Sequence, residues 1–312
     1  MTLLLEIPTW LGDAVMTTPA IENIVKIYPD VRLTIFGSYV STRIFLYHPN
    51  VDKIIVDNSR EGGFRYYNLY KLAKDSGEFD IALSFRRNFT TKFFLYFVDA
   101  KQKFIYKRYD KGFFTHQVIR YNDFINRSLG TNSKPNKLKI YLQNDKKIEK
   151  TKPLLGLNPG ATYGSAKRWY PSEFVKVAVV LSNKYDIVIF GGPNETKIAS
   201  DIEQGLKDNG ITNYTNLAGK TTVEELIYNI SQLDLFITND SGPMHLAAAF
   251  EIPTVSIFGP TRYTETNQWL NPKSIVVSKE LDCSPCMKRV CPLKHHNCMK
   301  LITAEDILAK IV

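Results

Sequence analysis

The sequence predicts an α/β chain of two doubly wound parallel sheets. Short apolar strand patterns alternate with helix patterns, as βαβ units require. The alternation restarts near Leu154 after a polar stretch. The 312 residues, 44% of them hydrophobic, suffice for about two domains of roughly 150 residues, each with a core of its own.

The first half opens with a strand over residues 3–7 and a loop carrying Gly12 and Asp13. A helix over 19–28 follows, with Pro19 suited to its first turn. Strands at 32–36, 53–56, 81–85 and 102–105 continue the pattern, with helical segments between them. Residues 144–153 are polar and charged and read as an exposed linker. The second half starts with a strand at 154–158 and a long loop through Pro171. Ser172 is placed to cap a helix to about 183, and the strand at 187–190 ends in Gly191-Gly192. Helices near 195–208 and 223–233 and strands at 235–238 and 254–258 follow. Thr303 with Asp306 resembles a cap for a last helix to 312. The expected domains are 1–150 and 151–312, with the last helix a candidate to pack back on the first.

Residues 239–245 read Asn-Asp-Ser-Gly-Pro-Met-His, between a strand pattern and a helix pattern. A strand turning into a helix this way presents bare N–H groups at the positive end of the helix dipole, which favours an anion. Asp240 and His245 flank that spot. In open α/β sheets ligands bind beyond the C-terminal strand ends. The informative loops sit there: 8–18, 159–171, 191–195, 239–245 and 259–264. Two such domains joined by one linker are expected to form a cleft.

Several classes are disfavoured. No G-x-G-x-x-G or Walker A pattern occurs, which argues against a dinucleotide enzyme or a P-loop NTPase. Apolar runs such as 93–98 fall short of the roughly 18 residues of a membrane span. Met1 to Glu6 carries no basic n-region, so a cytoplasmic protein is expected. The net charge of +9 points to an anionic partner: nucleic acid, a membrane face or a phosphorylated substrate. All four cysteines follow a C-x2-C-x4-C-x6-C spacing from Cys283 to Cys298. A reducing compartment argues against disulfides. C-x2-C alone fits structural zinc, but the following spacings are tight and do not form the usual second pair, so reduced structural thiols and no metal are expected.

Five segments together resemble the bacterial lipopolysaccharide heptosyltransferases, glycosyltransferase family 9. They are residues 7–16 (IPTWLGDAVM), 158–161 with 166–171 (NPGA, AKRWYP), 217–221 (LAGKT), 238–245 (TNDSGPMH) and 257–261 (IFGPT). The cluster from Cys283 through His295-His296-Asn297-Cys298-Met299 is similar to the heptosyltransferase II branch, which adds the second core heptose. The resemblance implies a GT-B fold, an ADP-heptose donor and inversion at the anomeric carbon. It implies an acceptor of Kdo-lipid A bearing one heptose, a location at the inner face of the inner membrane, and no obligatory divalent metal or nucleic acid. Heptosyltransferase I or III, another family 9 activity, or a non-catalytic sugar-nucleotide module are the alternatives.

Inverting transfer needs a base for the acceptor hydroxyl and charge to stabilise the departing diphosphate. The resemblance implies Asp13 as that base; an N-cap carboxylate is the alternative. It places the donor-binding lysine at Lys167, where an ammonium neutralises phosphate without a metal. Arg168 is a possible helper, and Trp169 reads as a packing anchor. Ser241 and Gly242 offer N–H groups to phosphate, and Asp240 is implied to accept heptose hydroxyls. His245 is either a phosphate donor or a hydrogen-bonded histidine of the first helical turn. Glu195 matches a family glutamate at the nucleotide ribose, or is a first-turn carboxylate. Thr162 is a further donor contact. Arg86, Arg87 and Arg120 are candidate acceptor contacts, and the basic, aromatic stretch 101–111 is a candidate for acceptor phosphates, Kdo carboxylates and the anionic membrane face.

Overall fold

The computed structural model describes residues 1–107, 115–143 and 147–311. The chain divides into two units, Met1–Asp145 and Lys146–Val312.

The first unit runs β1 (Thr2–Glu6), α1 (Leu11–Val15), α2 (Thr18–Ile27), β2 (Arg32–Gly37), α3 (Tyr39–Thr42), β3 (Val51–Val56), α4 (Arg65–Lys74), β4 (Glu78–Ser84), α5 (Phe89–Phe97), β5 (Asp99–Ile105) and α6 (Gln117–Leu129). Its sheet is parallel throughout, in the order β3-β2-β1-β4-β5. The central strand is covered on both faces, so it reads as the unbroken run Leu3-Leu4-Leu5, all fully buried. β1 steps one way to β2 and β3; the chain then returns to the other side of β1 for β4 and β5. The crevice at that reversal lies between the C-terminal ends of β1 and β4.

The second unit runs β6 (Leu154–Asn158), α7 (Pro171–Leu181), β7 (Asp186–Ile189), α8 (Thr196–Asp208), β8 (Tyr214–Asn216), α9 (Val223–Ser231), β9 (Leu235–Asn239), α10 (Gly242–Ala249), β10 (Thr254–Ile257), α11 (Tyr263–Thr266), β11 (Ser274–Val277), α12 (Asn297–Lys300) and α13 (Ala304–Leu308). Its parallel sheet is ordered β11-β10-β9-β6-β7-β8 and reverses between β6 and β9. These two strands are pulled together at Gly156, where a Cβ would stand 2.7 Å from the Phe236 ring and 2.5 Å from Leu233. Only glycine fits there.

Several sequence expectations shift. Asp13 does not lie in a loop: it sits within α1, whose N-cap is Trp10. The capping residue of α7 is Tyr170 and Pro171 occupies the first helical turn, so Ser172 is inside the helix. Thr303 and Asp306 do form the anticipated capping box, but the helix stops at Leu308. That helix packs on α7 of its own unit, where the Glu173 carboxylate accepts the Ala304 N–H. Strands β8 and β11 were not anticipated; both are short, and their half-exposed patterns give a weak period.

Of the polar stretch 144–153, residues 144–146 lie outside the described residues. The remainder is tied to the α9–β9 corner. Lys147 Nζ donates to the Ser231 carbonyl, Ile148 N–H donates to Gln232 Oε1, and Lys150 pairs with Asp234.

Trp169 is fully buried in the core of the second unit. Its ring stands 4.8 Å from that of Phe174, and its Nε1–H donates to the Ile302 carbonyl at 2.8 Å. The expected packing role holds. Trp169→Ala should lower the stability of the second unit by about 3–5 kcal/mol, since cavity and lost hydrogen bond act together. Urea unfolding followed by circular dichroism measures this; an unchanged midpoint would rule out the anchor role.

Candidate active site

In the first unit the sequence-nominated residues gather at the β1/β4 reversal. Asp13 follows β1 on α1, and Arg86 and Arg87 follow β4. The position of Asp13 inside α1 removes the N-cap alternative. Its carboxylate acts electrostatically on Tyr121 of α6: burial first, and then the Asp13 charge, hold that phenol well above its usual range.

Arg86 is committed within the fold. Its guanidinium pairs with Glu6 at 3.1 Å, and Glu6 also accepts Ser84 Oγ–H at 2.6 Å and Thr91 Oγ1–H at 3.0 Å. Burial raises the Glu6 carboxyl above its ordinary value, against the opposing pull of Arg86. Glu6, which broke the apolar run of β1, is thus the reason for Arg86. Arg87 is exposed, and Arg120 is buried on α6. Of the basic stretch 101–111, residues 108–111 lie outside the described residues, and Lys101 is paired with Asp80 at 2.7 Å.

In the second unit the loops after β6 and β9 are locked together at the β6/β9 reversal. Asn158 Nδ2–H donates to Thr238 Oγ1 at 3.2 Å and Ser241 Oγ at 3.0 Å. Asn239 reaches the opposite way: its amide donates to the Pro159 carbonyl at 2.7 Å and accepts the Trp169 N–H at 3.1 Å. These bonds hold Asp240 and Ser241 beside the segment that carries Lys167. Lys167 Nζ pairs with Asp240 Oδ2 at 2.5 Å, with side chains only 12% and 5% exposed. Thr261 Oγ1–H donates to the same oxygen at 2.5 Å. Lys167 also lies over the Tyr163 ring, 4.7 Å from its centroid, and Arg289 lies over that ring at 5.3 Å. Next to Lys167, Arg168 Nε is buried and meets no acceptor among the described residues.

Ser241 caps α10 in an extended conformation without a side-chain bond to the helix. The first N–H groups of α10 have no partners within the helix, and with the dipole they form a cationic end beside Lys167. His245 is buried in the first turn, and Thr162 is exposed in the loop after β6.

Glu195 joins this group from the loop after β7. Its Oε2 accepts the Gly192 N–H at 2.8 Å, while Oε1 is buried and meets no donor among the described residues. A side chain at position 160 would collide with the Glu195 carboxylate, so Gly160 is what lets Glu195 reach the β6 loop. An open carboxylate oxygen there suits a hydroxyl donor. Chemically the arrangement offers an anion one ammonium and a helix N-terminus, with two carboxylates beside them.

The sequence matches follow this geometry. The profile described as Glycosyltransferase family 9 (heptosyltransferase) matches residues 96–297. Lipooligosaccharide heptosyltransferase 2 of Campylobacter jejuni subsp. jejuni serotype O:2 is 43% identical over 313 aligned residues, covering 99% of this chain and 96% of that protein. The chain belongs to glycosyltransferase family 9. Its fold is GT-B: E. coli ADP-heptose LPS heptosyltransferase II superposes with a TM-score of 0.83 at 21% identity, over 100% of this chain and 97% of that one. E. coli heptosyltransferase WaaC with ADP superposes with a TM-score of 0.78 at 14% identity, over 100% and 99%.

Four further residues of the candidate site carry no role that the sequence predicts. Thr261, Asn158 and Asn239 all lie in the quoted segments, where nothing local gives their side chains a role. Arg289 lay inside the cysteine segment, which drew attention to its thiols. That segment is a wall of the site. His296 lies 2.9 Å from the Ala166 carbonyl and 3.3 Å from the Tyr170 hydroxyl, and the Arg289 carbonyl accepts the Ala166 N–H. All four cysteines are free and line one small cavity with His295 and His296. Among the described residues no group of three His, Cys, Asp or Glu is arranged to hold a metal ion.

Two outcomes follow from these contacts. Lys167→Met leaves the Asp240 carboxylate buried without its cation and should cost about 3–5 kcal/mol; adding Asp240→Asn should restore a large part. Denaturant titrations of the three variants measure the coupling, and strictly additive losses would exclude it. Burial first, with the neighbouring thiols, pushes Cys298 up to about 11. Its thiolate forms only as pH rises toward that value, so at pH 8 it holds roughly a hundredfold less thiolate than an ordinary cysteine. Iodoacetamide labelling read by mass spectrometry should spare Cys298 at pH 8 and reach it as pH rises.

Proposed function

We propose that this chain transfers heptose from ADP-heptose, with inversion, to the first heptose of the Kdo-lipid A inner core. The observation that carries the proposal is the β6/β9 reversal, where the Lys167–Asp240 pair stands beside the N-terminus of α10 and Glu195 reaches the loop after β6. The similarity to a lipooligosaccharide heptosyltransferase 2 supports the choice of sugar and acceptor.

The acceptor hydroxyl oxygen attacks the anomeric carbon while the bond from that carbon to the diphosphate breaks. Asp13 takes the hydroxyl proton. The charge on departing ADP falls on Lys167 and on the N–H groups of Ser241 and Gly242, so no divalent metal is needed for this step. Lys167 is shared between Asp240 and the diphosphate. As the ammonium turns toward phosphate, Asp240 becomes available to heptose hydroxyls, with Thr261 fixing its rotamer. Glu195 Oε1 accepts a ribose hydroxyl. Thr162 and His245 complete the donor contacts. Arg87 is the exposed arginine of the candidate acceptor set; Arg86 acts through Glu6 as scaffold, and Arg120 is buried. The first unit is the acceptor side and the second the donor side. The protein works at the cytoplasmic face of the membrane that carries its lipid acceptor; no helix among the described residues is long and apolar enough to cross it.

Asp13→Asn should reduce transfer by about 10²–10⁴-fold, the usual contribution of a general base, while leaving ADP-heptose affinity within a few-fold. Turnover measured on acceptors carrying zero, one and two heptoses separates the family 9 alternatives. Activity confined to the heptose-free acceptor would contradict this assignment, and wild-type turnover in Asp13→Asn would remove the base.

A further inference from the structure

Helices α4 and α5 lie side by side on the sheet of the first unit, over a core that includes Leu69, Ala73, Phe94 and Leu95. Their outer sides are not polar. Phe64, Phe89 and Tyr96 are 71%, 67% and 76% exposed, and Tyr67 and Tyr70 are exposed beside them. The rings form one connected set rather than scattered residues. Phe64 meets Tyr66 at 5.8 Å, Tyr66 meets Phe89 at 6.0 Å and Phe93 at 5.1 Å, Phe93 meets Phe97 at 5.0 Å, and Phe97 meets Tyr70 and Tyr96 at 4.9 Å each. A contiguous exposed patch of this kind marks an interaction surface.

Cations are interleaved with the rings. Lys71 Nζ lies 5.8 Å from the Tyr67 ring centroid, and Lys103 Nζ donates to the Tyr96 carbonyl. Lys74 and Lys92 are exposed on the same two helices. Residues 60–107 hold ten Lys and Arg against five Asp and Glu, so the patch carries net positive charge. Aromatic rings with phenolic tips and flanking lysines match the interfacial zone of a bilayer: rings seat at headgroup depth, and ammonium groups meet anionic lipid. A protein partner would be expected to meet fewer lysines at the centre of such a patch.

We infer that the α4–α5 face is the surface by which this chain docks on an anionic lipid bilayer. The inference rests on the transferase reading only in explaining why docking is useful: the acceptor carries a lipid. Binding is reversible, since no segment of the patch is long enough to insert as a span, and it weakens as salt screens the lysines.

Co-sedimentation of the full chain with vesicles tests this. The wild type should bind phosphatidylcholine–phosphatidylglycerol vesicles and bind phosphatidylcholine vesicles far less. Phe64→Ser/Phe89→Ser/Tyr96→Ser, all exposed positions, should weaken binding by about tenfold or more, and Lys71→Glu/Lys74→Glu, both exposed on α4, should do the same at low salt. Circular dichroism and turnover on a delipidated one-heptose acceptor should remain unchanged in both. Equal vesicle binding by wild type and aromatic variant would overturn the inference. So would a wild-type dimer, seen by analytical ultracentrifugation, that the aromatic variant abolishes without loss of vesicle binding. Absent turnover on the delipidated acceptor would instead contradict the transferase reading and leave the docking result standing.

Discussion

The end of β9 is the constraint on which the donor side depends. Asn239 is buried, and its one amide group satisfies both the Pro159 carbonyl and the Trp169 N–H. Each of those backbone groups would otherwise be left without a partner in a region closed to water, at a cost of about 1–3 kcal/mol apiece. The loop after β6 therefore cannot move independently of β9. Asn158 repeats the device in the other direction through Thr238 and Ser241. Gly156 brings the two strands into register so that both amides reach.

That framework permits a buried ion pair beside the N-terminus of α10. Lys167 and Asp240 are almost wholly shielded, so their mutual attraction is offset by desolvation and adds little net stability. Its value lies in position. The pair keeps an ammonium at the N-terminus of α10 before any phosphate arrives, and Thr261 keeps the carboxylate from rotating away. In the proposed reaction a diphosphate would meet a charge already desolvated, with less reorganisation left for the transfer itself. The first unit uses the same economy of charge differently. Glu6 and Arg86 neutralise one another beneath the β1/β4 reversal, which leaves Asp13 and Arg87 as the nominated charged groups above it.

The cysteine segment has a structural part in this site. Between Ser284 and Cys298 it returns along the Lys167 loop, and its backbone and His296 bond to Ala166 and Tyr170. Arg289 and Lys167 share the Tyr163 ring. The thiols line a small cavity with Ala166, His295 and His296.

The sequence by itself determined the two parallel sheets, because strands buried on both faces must be short apolar runs, and Leu3-Leu4-Leu5 and residues 235–238 leave no other choice. It also determined the family and the strand–turn–helix at 239–245, since a strand, a short polar turn and a helix fix where the N–H groups point. Helix ends were less legible. Asp13 and Ser172 both follow residues that can start a helix, and only the packing of α1 and α7 decided the first turn. The partners were beyond the sequence altogether. Lys167 and Asp240 are far apart along the chain, as are Gly160 and Glu195, and nothing local encodes their meeting. The order of the strands decides it: the reversal between β6 and β9 sets the two loops side by side, and close packing turns that adjacency into contact.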